Sequence, residues 1–377
     1  MKYYIVAGEA SGDLHGSYLV KALIDGDQEA VLRGWGGDLM EQAGMTLVQH
    51  YREMAYMGVW QVLKHLPSIL GKLKACKADI QQFQPDALIL IDYSGFNLRL
   101  APWAKKQGFK IYYYISPQVW ATRAKRVQTI RQSVDHVFSI LPFEKAFYEQ
   151  YHYSLTYVGH PLLDVVADHQ PQPNFRATWN LDQRPIIALL PGSRRQEIRS
   201  MLPAMLGVVE YFPAYQFVVA AAPSIEPSFY EQYLATIPNV LLIRQQTYDI
   251  LQHSHAAFVT SGTATLEAAL FNVPQVVCYK AGPLMYAIAK RLIKVRFIAL
   301  VNLIMDQEIV PERIQKEVSP EHLKVTLAPL LEGPQRAAIL AAYDQLRQHL
   351  GVPGAAKRTA AHLQERLHLL PPSSKDL

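Results

Sequence analysis

Three short stretches bring glycine, hydroxyl and charged side chains together where an apolar run gives way to a helix-forming one. In AAFVTSGTATLEAAL, residues 256–270, the break is Ser261-Gly262-Thr263, and Glu267 follows about one turn into the helix. In LLPGSRRQEI, residues 189–198, Gly192-Ser193 permits a tight turn, with Arg194 and Arg195 just beyond it. In AGEASGDLHG, residues 7–16, Gly8, Ser11 and Gly12 admit close approach, while Glu9, Asp13 and His15 share the same rim.

Free N–H groups and the helix dipole at such a start favour an anion. On that reading Ser261, Gly262 and Thr263 cradle a diphosphate, with Ser193 and Arg194 on the neighbouring turn and Arg194 as the charged clamp. Glu267 would repel phosphate, but an ionised carboxylate accepts hydrogen bonds, so a ribose diol suits it. A nucleotide satisfies both requirements. The plainer readings are a helix N-cap at Ser261 or Thr263, a dipole-compensating charge at Glu267 and a solvated basic helix start at 194–195. The sequence holds no clear G-x-G-x-x-G and no P-loop, which argues against dinucleotide and P-loop chemistry.

Elements must hold these turns, and the chain alternates between two patterns. Apolar runs at 3–8, 86–95, 110–120 and 136–144 each lead into a helical pattern. After a polar, proline-bearing stretch at 168–185 the rhythm restarts at 186–198, 215–224, 240–246, 256–270 and 274–282. Strands apolar enough to be buried on both faces, alternating with helices, predict parallel sheets. The fold class expected is α/β, with two facing Rossmann-like doubly wound domains. Their expected bounds are 1–167, completed by C-terminal helices within 355–377, then a linker at 168–185, and 186–354. A length of 377 residues suits two cores.

Composition narrows the class. Hydrophobic residues make up 50% and charged residues 18%, as in a soluble globular protein. Cys76 and Cys278 match no metal or redox spacing and read as idle thiols of a reducing cytoplasm. The first apolar run is too short for a secretory signal, and none approaches the ~20 residues of a membrane span. Net charge of +5 does not indicate a nucleic-acid partner.

GEASGD (8–13), SPQVWA (116–121), LPFEKAFY (141–148), YVGHPLLD (157–164), LLPGSR (189–194), TSGTATLE (260–267) and LVNLIMDQEIVPE (300–312) occur in this order. With this set the chain resembles lipid-A-disaccharide synthase over nearly its whole length. The resemblance implies an inverting, metal-independent glycosyltransferase of GT-B architecture that needs no cofactor. It would transfer 2,3-diacylglucosamine from its UDP derivative to 2,3-diacylglucosamine 1-phosphate, giving the β-1,6-linked disaccharide 1-phosphate and UDP. The first domain would then face acceptor and membrane, and the second would bind the UDP-sugar. By motif, Arg194 would hold diphosphate, Glu267 ribose, and Asn302 would lie near the nucleotide. The family pattern departs at IDYSGFN, where Gly95 replaces a second acid, at Thr122 in place of a second tryptophan, and at Val301 in place of proline.

Inverting transfer needs a base for the acceptor 6-hydroxyl. Asp92, leaving the apolar strand ALILID at the ligand rim, is the favoured residue. Helix capping is its plainer role, and Glu9, Asp13 and His15 compete for the chemical one. His160, His253, His255 and Tyr112 to Tyr114 read as structural. Acylated substrates require a bilayer surface, and the inner face of the bacterial inner membrane is the expected location. Residues 54–77, rich in Met, Leu and Trp with Lys64, Lys72, Lys74 and Lys77, suit an interfacial helix. KRLIKVR (290–296) and the group Arg123, Lys125, Arg126 and Arg131 add cations. The competing reading packs that apolar stripe on the protein's own sheet. The sequence leaves a homodimer open. The alternative functions are another UDP-sugar enzyme of this architecture, such as a UDP-N-acetylglucosamine 2-epimerase, and a two-domain binding protein without chemistry.

Overall fold

Runs such as ALILI and IIALL bury every side chain, which only a sheet covered on both faces can do. The computed structural model describes residues 1–54, 66–122, 126–235, 237, 239–282, 286 and 295–368. The chain divides into two compact units, Met1–Asp164 with Pro353–Leu377, and Val165–Val352.

In chain order the first unit runs β1 (Lys2–Ala7), α1 (Ala10–Gly26), β2 (Val31–Gly36), α2 (Asp38–Gln42), β3 (Thr46–His50), α3 (Leu66–Phe83) and β4 (Ala87–Ile91). It continues with α4 (Ser94–Lys106), β5 (Ile111–Tyr114), α5 (Val119–Thr122), α6 (Arg126–Ser133), β6 (His136–Ser139), α7 (Glu144–Glu149) and β7 (Thr156–Tyr157). Helix α8 (Leu162–Asp168) crosses the unit boundary. The second unit holds α9 (Phe175–Thr178), β8 (Ile186–Leu190), α10 (Arg195–Leu206), β9 (Gln216–Ala221), α11 (Pro227–Leu234), β10 (Val240–Arg244), α12 (Thr247–His253), β11 (Ser254–Thr260) and α13 (Thr263–Leu270). Then come β12 (Gln275–Tyr279), α14 (Leu300–Met305), β13 (Glu312–Ile314), α15 (Pro320–Leu331) and α16 (Pro334–Leu350), and α17 (Ala355–His368) returns to the first unit.

Strand order is β3-β2-β1-β4-β5-β6-β7 in one sheet and β10-β9-β8-β11-β12-β13 in the other. The pairings are parallel, from β1 with β4 to β8 with β11. In each sheet the chain winds outward on one side and then restarts beside its first strand. The reversals fall between β1 and β4 and between β8 and β11. Such a switch point splays the flanking loops apart and opens a crevice at the carboxyl ends of the strands.

In the first unit Tyr4, Val6, Leu90 and Tyr113 line one buried face with Leu73, Cys76 and Ile80 of α3. The apolar stripe of α3 is therefore spent on its own core, while Leu70 and Lys74 stay exposed. Residues 168–185 lie in the second unit, where Phe175 and Leu181 join the core and the Gln172 N–H donates to Asp249 over 2.9 Å. No helix among the described residues is long and apolar enough to cross a membrane.

Candidate functional site

Each switch point carries one of the chemically suggestive clusters. In the second unit, Leu190 at the end of β8 lies opposite Val259 of β11, so the turns at 191–194 and 261–263 leave adjacent strands. Gly192 has φ +110°, and a Cβ there would stand 2.5 Å from a Glu197 oxygen. Only glycine fits both the backbone and the space. The Glu197 carboxylate reaches back to accept the Ser193 N–H over 3.0 Å and an Arg194 guanidinium N–H over 3.1 Å. Arg194, at the N-cap of α10, keeps its side chain 46% exposed.

On the neighbouring turn Gly262 has φ +154°, and a Cβ built there would meet nothing within 4 Å. The backbone thus demands glycine, and the space in front of it is open. The Ser261 hydroxyl donates to the Ile298 carbonyl over 2.9 Å, fixing this turn to the segment before α14. Thr263 opens α13, half-buried, and Glu267 follows one turn on. The Tyr248 hydroxyl donates to Glu267 over 3.2 Å. Burial pushes the Glu267 carboxyl up to about 7, with the Tyr248 bond opposing.

Asn302 is fully buried and uses its whole hydrogen-bonding capacity inside the protein. Its amide donates to the Val310 carbonyl and to Glu312, both over 2.9 Å, and its oxygen accepts the Ile309 and Val310 N–H groups over 2.8 and 3.0 Å. Glu312 in turn accepts the Ile298 and Ala299 N–H groups. These two residues of the LVNLIMDQEIVPE motif brace the segment that holds Ser261.

In the first unit Gly8 directly follows β1 and Asp92 directly follows β4. A Cβ at Gly8 would fall 2.3 Å from the Tyr93 ring, so glycine lets the two turns close on one another. Gly12 brings α1 against Ala7, where an added Cβ would lie 3.2 Å away. Glu9 is the N-cap of α1 and half-buried, as is Ser11. Asp13 is buried, and its carboxylate accepts the Leu39 and Met40 N–H groups over 3.2 and 3.0 Å at the start of α2. His15 is buried as well, and burial depresses it to about 4. His160 is depressed to about 3, by burial first and then by His15.

Asp92 stands apart from this set. It and Tyr93 have φ of +42° and +45°, consecutive left-handed residues without glycine. Such conformers cost roughly 1–3 kcal/mol each and persist where the surroundings over-determine them. Here Asn97 and the Tyr113 hydroxyl hold the Asp92 carbonyl over 2.9 and 2.5 Å. The N-cap of α4 is Tyr93, which leaves Asp92 one residue outside it at the crevice rim. Gly95, where an acid is usual, is exposed with nothing within 4 Å of its added Cβ.

Sequence reasoning gave no role to Glu144. It is wholly buried, accepts the Trp120 indole N–H and the Leu141 N–H, each over 3.3 Å, and is pushed up to about 8 by burial, with Asp92 adding to the rise. The SPQVWA and LPFEKAFY motifs were its only signal, and the bond between Trp120 and Glu144 is what joins them. His253 and His255 bond to different carbonyls, those of Asp249 and Leu331. Among the described residues no group of three or more His, Cys, Asp or Glu is placed to hold a metal. Residues 55–65, including Leu63 and Lys64, lie outside the described residues, as do Arg123, Lys125 and 290–294.

Comparison with known proteins fits this architecture and chemistry. A family model described as lipid-A-disaccharide synthetase matches residues 3–365. The chain is 42% identical over 364 residues to a lipid-A-disaccharide synthase of Syntrophus aciditrophicus, covering 94% of this chain and 95% of that one. It is 39% identical over 370 residues to one of Geobacter metallireducens, covering 96% of each. Among solved structures, S. aureus MnaA with UDP superposes with a TM-score of 0.71 at 13% identity, covering 98% of this chain and 97% of that one, a likeness of fold alone. A match of model, sequence and fold over nearly the full length leaves one conclusion: the chain belongs to the lipid-A-disaccharide synthetase family of glycosyltransferases.

Proposed function

We propose that this chain, a hexosyltransferase of lipid A disaccharide formation, binds its UDP-sugar at the β8/β11 switch point and activates its acceptor from the β1/β4 switch point. The observation that carries the reading is the second unit's pair of adjacent turns: open space before Gly262, a half-exposed Arg194 beside it, and Glu267 one turn further on. The donor is UDP-2,3-diacylglucosamine and the acceptor 2,3-diacylglucosamine 1-phosphate. The acceptor 6-hydroxyl attacks the anomeric carbon from the face opposite UDP and gives its proton to Asp92. The bond from that carbon to the diphosphate breaks, and its electrons leave with UDP. The α13 N-terminus, Ser193, Ser261, Thr263 and Arg194 stabilise the charge that develops on the diphosphate. Glu267 accepts hydrogen bonds from the ribose. Gly8, Glu9, Ser11 and Gly12 line the acceptor side, while Asp13 and Asn302 act through the segments they brace.

The test is UDP release in EDTA from UDP-2,3-diacylglucosamine, with and without diacylglucosamine 1-phosphate. Acceptor-dependent release with a disaccharide in the mass spectrum is expected. Its absence from folded, UDP-binding protein would sink the substrate assignment. UDP-sugar turnover without acceptor would favour the epimerase alternative.

Acyl chains on both substrates also place the enzyme at the inner face of the inner membrane. The contact is assigned to 54–77, of which Leu70 and Lys74 present exposed side chains. Liposome binding that survives Leu63→Glu with Leu66→Glu in folded protein would remove that segment from the contact.

A further inference from the structure

We propose that Tyr248 is a positioning residue for nucleotide recognition, whose hydroxyl fixes one oxygen of Glu267 so that the other meets the ribose diol. This rests on the assignment of Glu267 to ribose. The geometry behind it is local to α12, α13 and the residue after α8. Tyr248, second residue of α12, donates to Glu267 Oε1 over 3.2 Å. Its ring is held from two sides. Phe271, one turn beyond Glu267, stacks on it at 5.5 Å and 23°, and the His169 ring meets it edge-on at 5.8 Å and 72°. His169 meets Phe271 edge-on as well, at 5.5 Å, and its Nε2 lies 3.6 Å from Asp249. Asp249 accepts the Gln172 N–H over 2.9 Å. The hydroxyl is therefore carried on a braced ring and not on a swinging side chain.

The consequence for binding is specific. A glutamate has three rotatable bonds, and ordering it at the moment of binding weakens affinity. A carboxylate already held through one oxygen has that cost met in the empty site. The second oxygen, Oε2, is the one the proposal gives to the diol, on a residue one turn into α13. The proposal requires Tyr248 to matter only to ligands that carry the diol.

Calorimetric titration of UDP and of 2′,3′-dideoxy-UDP into the full chain, its Tyr248→Phe and Glu267→Gln variants and the double variant tests it. Phenylalanine keeps the stack with Phe271 and His169, so the fold is conserved. Tyr248→Phe is expected to weaken UDP roughly tenfold while leaving dideoxy-UDP within about twofold. The double variant should bind UDP no worse than Glu267→Gln alone, because both changes remove one recognition unit. Equal losses for both ligands, or an unchanged UDP affinity, would overturn the role of Tyr248 while leaving Glu267 in place. If Glu267→Gln itself does not reduce the preference for the diol, the ribose assignment fails and the role of Tyr248 fails with it.

Discussion

At the scale of the residue, Arg194 and Asp92 separate chemistry from stability. Arg194 is half exposed, and its ion pair with Glu197 is of the surface i,i+3 kind, worth about 0–1 kcal/mol. Removing a preorganised donor to developing charge costs ~10²–10³ in turnover. Arg194→Ala is therefore expected to lose activity on that order with little change in Tm, and a large fall in Tm would make the arginine structural. Asp92→Asn is the cleaner probe of the base. Asparagine tolerates the left-handed backbone about as well as aspartate, so the turn survives and only the carboxylate is lost. Wild-type activity in that variant would remove Asp92 from the mechanism. Both positions stand out in the sequence because each charge follows an apolar run, Asp92 directly after ALILI and Arg194 just past Gly192-Ser193. Glu144 does not, because nothing local says that LPFE will be swallowed whole. Its indole partner, Trp120, lies 24 positions earlier in the chain.

At the scale of the element, the strand–turn–helix units were legible for a plain reason. Their strands are apolar on both faces, and glycine or proline falls in most of the turns. The braces were not. Asp13 looks like a rim acid, yet its partners are the N–H groups of α2, 26 and 27 positions away. Asn302 looks like a ligand contact, yet it spends itself on the loop closing at Val310. Side-chain type shows that a group needs partners, and tertiary structure decides which. The two turn glycines of the second unit turn this into a measurable contrast. Gly192→Ala meets both left-handed strain, about 1–2 kcal/mol, and the Glu197 Cβ at 2.6 Å, so α10 must shift and Tm should fall. Gly262→Ala meets strain but no atom within 4 Å, so the fold should hold. Its methyl would instead occupy the space assigned to the ligand. Calorimetry should show UDP affinity falling more than Tm in Gly262→Ala, and the reverse order of effects in Gly192→Ala. Equal behaviour of the two would detach Gly262 from binding.

At the scale of the whole molecule, buried ionisable groups set a stability optimum. His15, His136 and His160 are depressed by burial to about 4, 4 and 3, from an ordinary value of 6.5. Their contribution is present above about pH 6.5 and lost as pH falls through that window, because the unfolded chain takes up protons the folded one refuses. Glu144 and Glu267 are raised to about 8 and 7 from 4.5, so their contribution is present in acid and lost as pH rises through those values. Below about pH 6.5 three histidines outweigh two carboxyls, and above it only the carboxyls act, so stability should peak near pH 6.5. Glu144→Gln should flatten the alkaline limb in denaturation measured from pH 6 to 9; an unchanged limb would mean that Glu144 is ionised in the fold. A second expectation concerns chain order. The first unit contains the start of the chain and its end: α17 lies on α1, Leu363 is wholly buried, and Gln364 donates to the Leu23 carbonyl over 3.3 Å. Arg358 donates to the Val158 carbonyl over 2.8 Å, and Asp164 accepts the Gly354 and Ala356 N–H groups at the start of α17. A chain ending at Val352 would uncover the side of α1 that packs on α17, remove the buried Ala356, Ala360 and Leu363, and leave the Asp164 carboxylate without those two donors. Burying one leucine alone is worth about 1.5–3 kcal/mol, a large part of the margin by which a domain is stable. That truncation should abolish the cooperative melt of the first unit while UDP still binds the second, and peptide 353–377 added in trans should restore it. An unaltered first-unit melt would make α17 an accessory. Restoration by the peptide would show that α17 completes the first unit by covering α1.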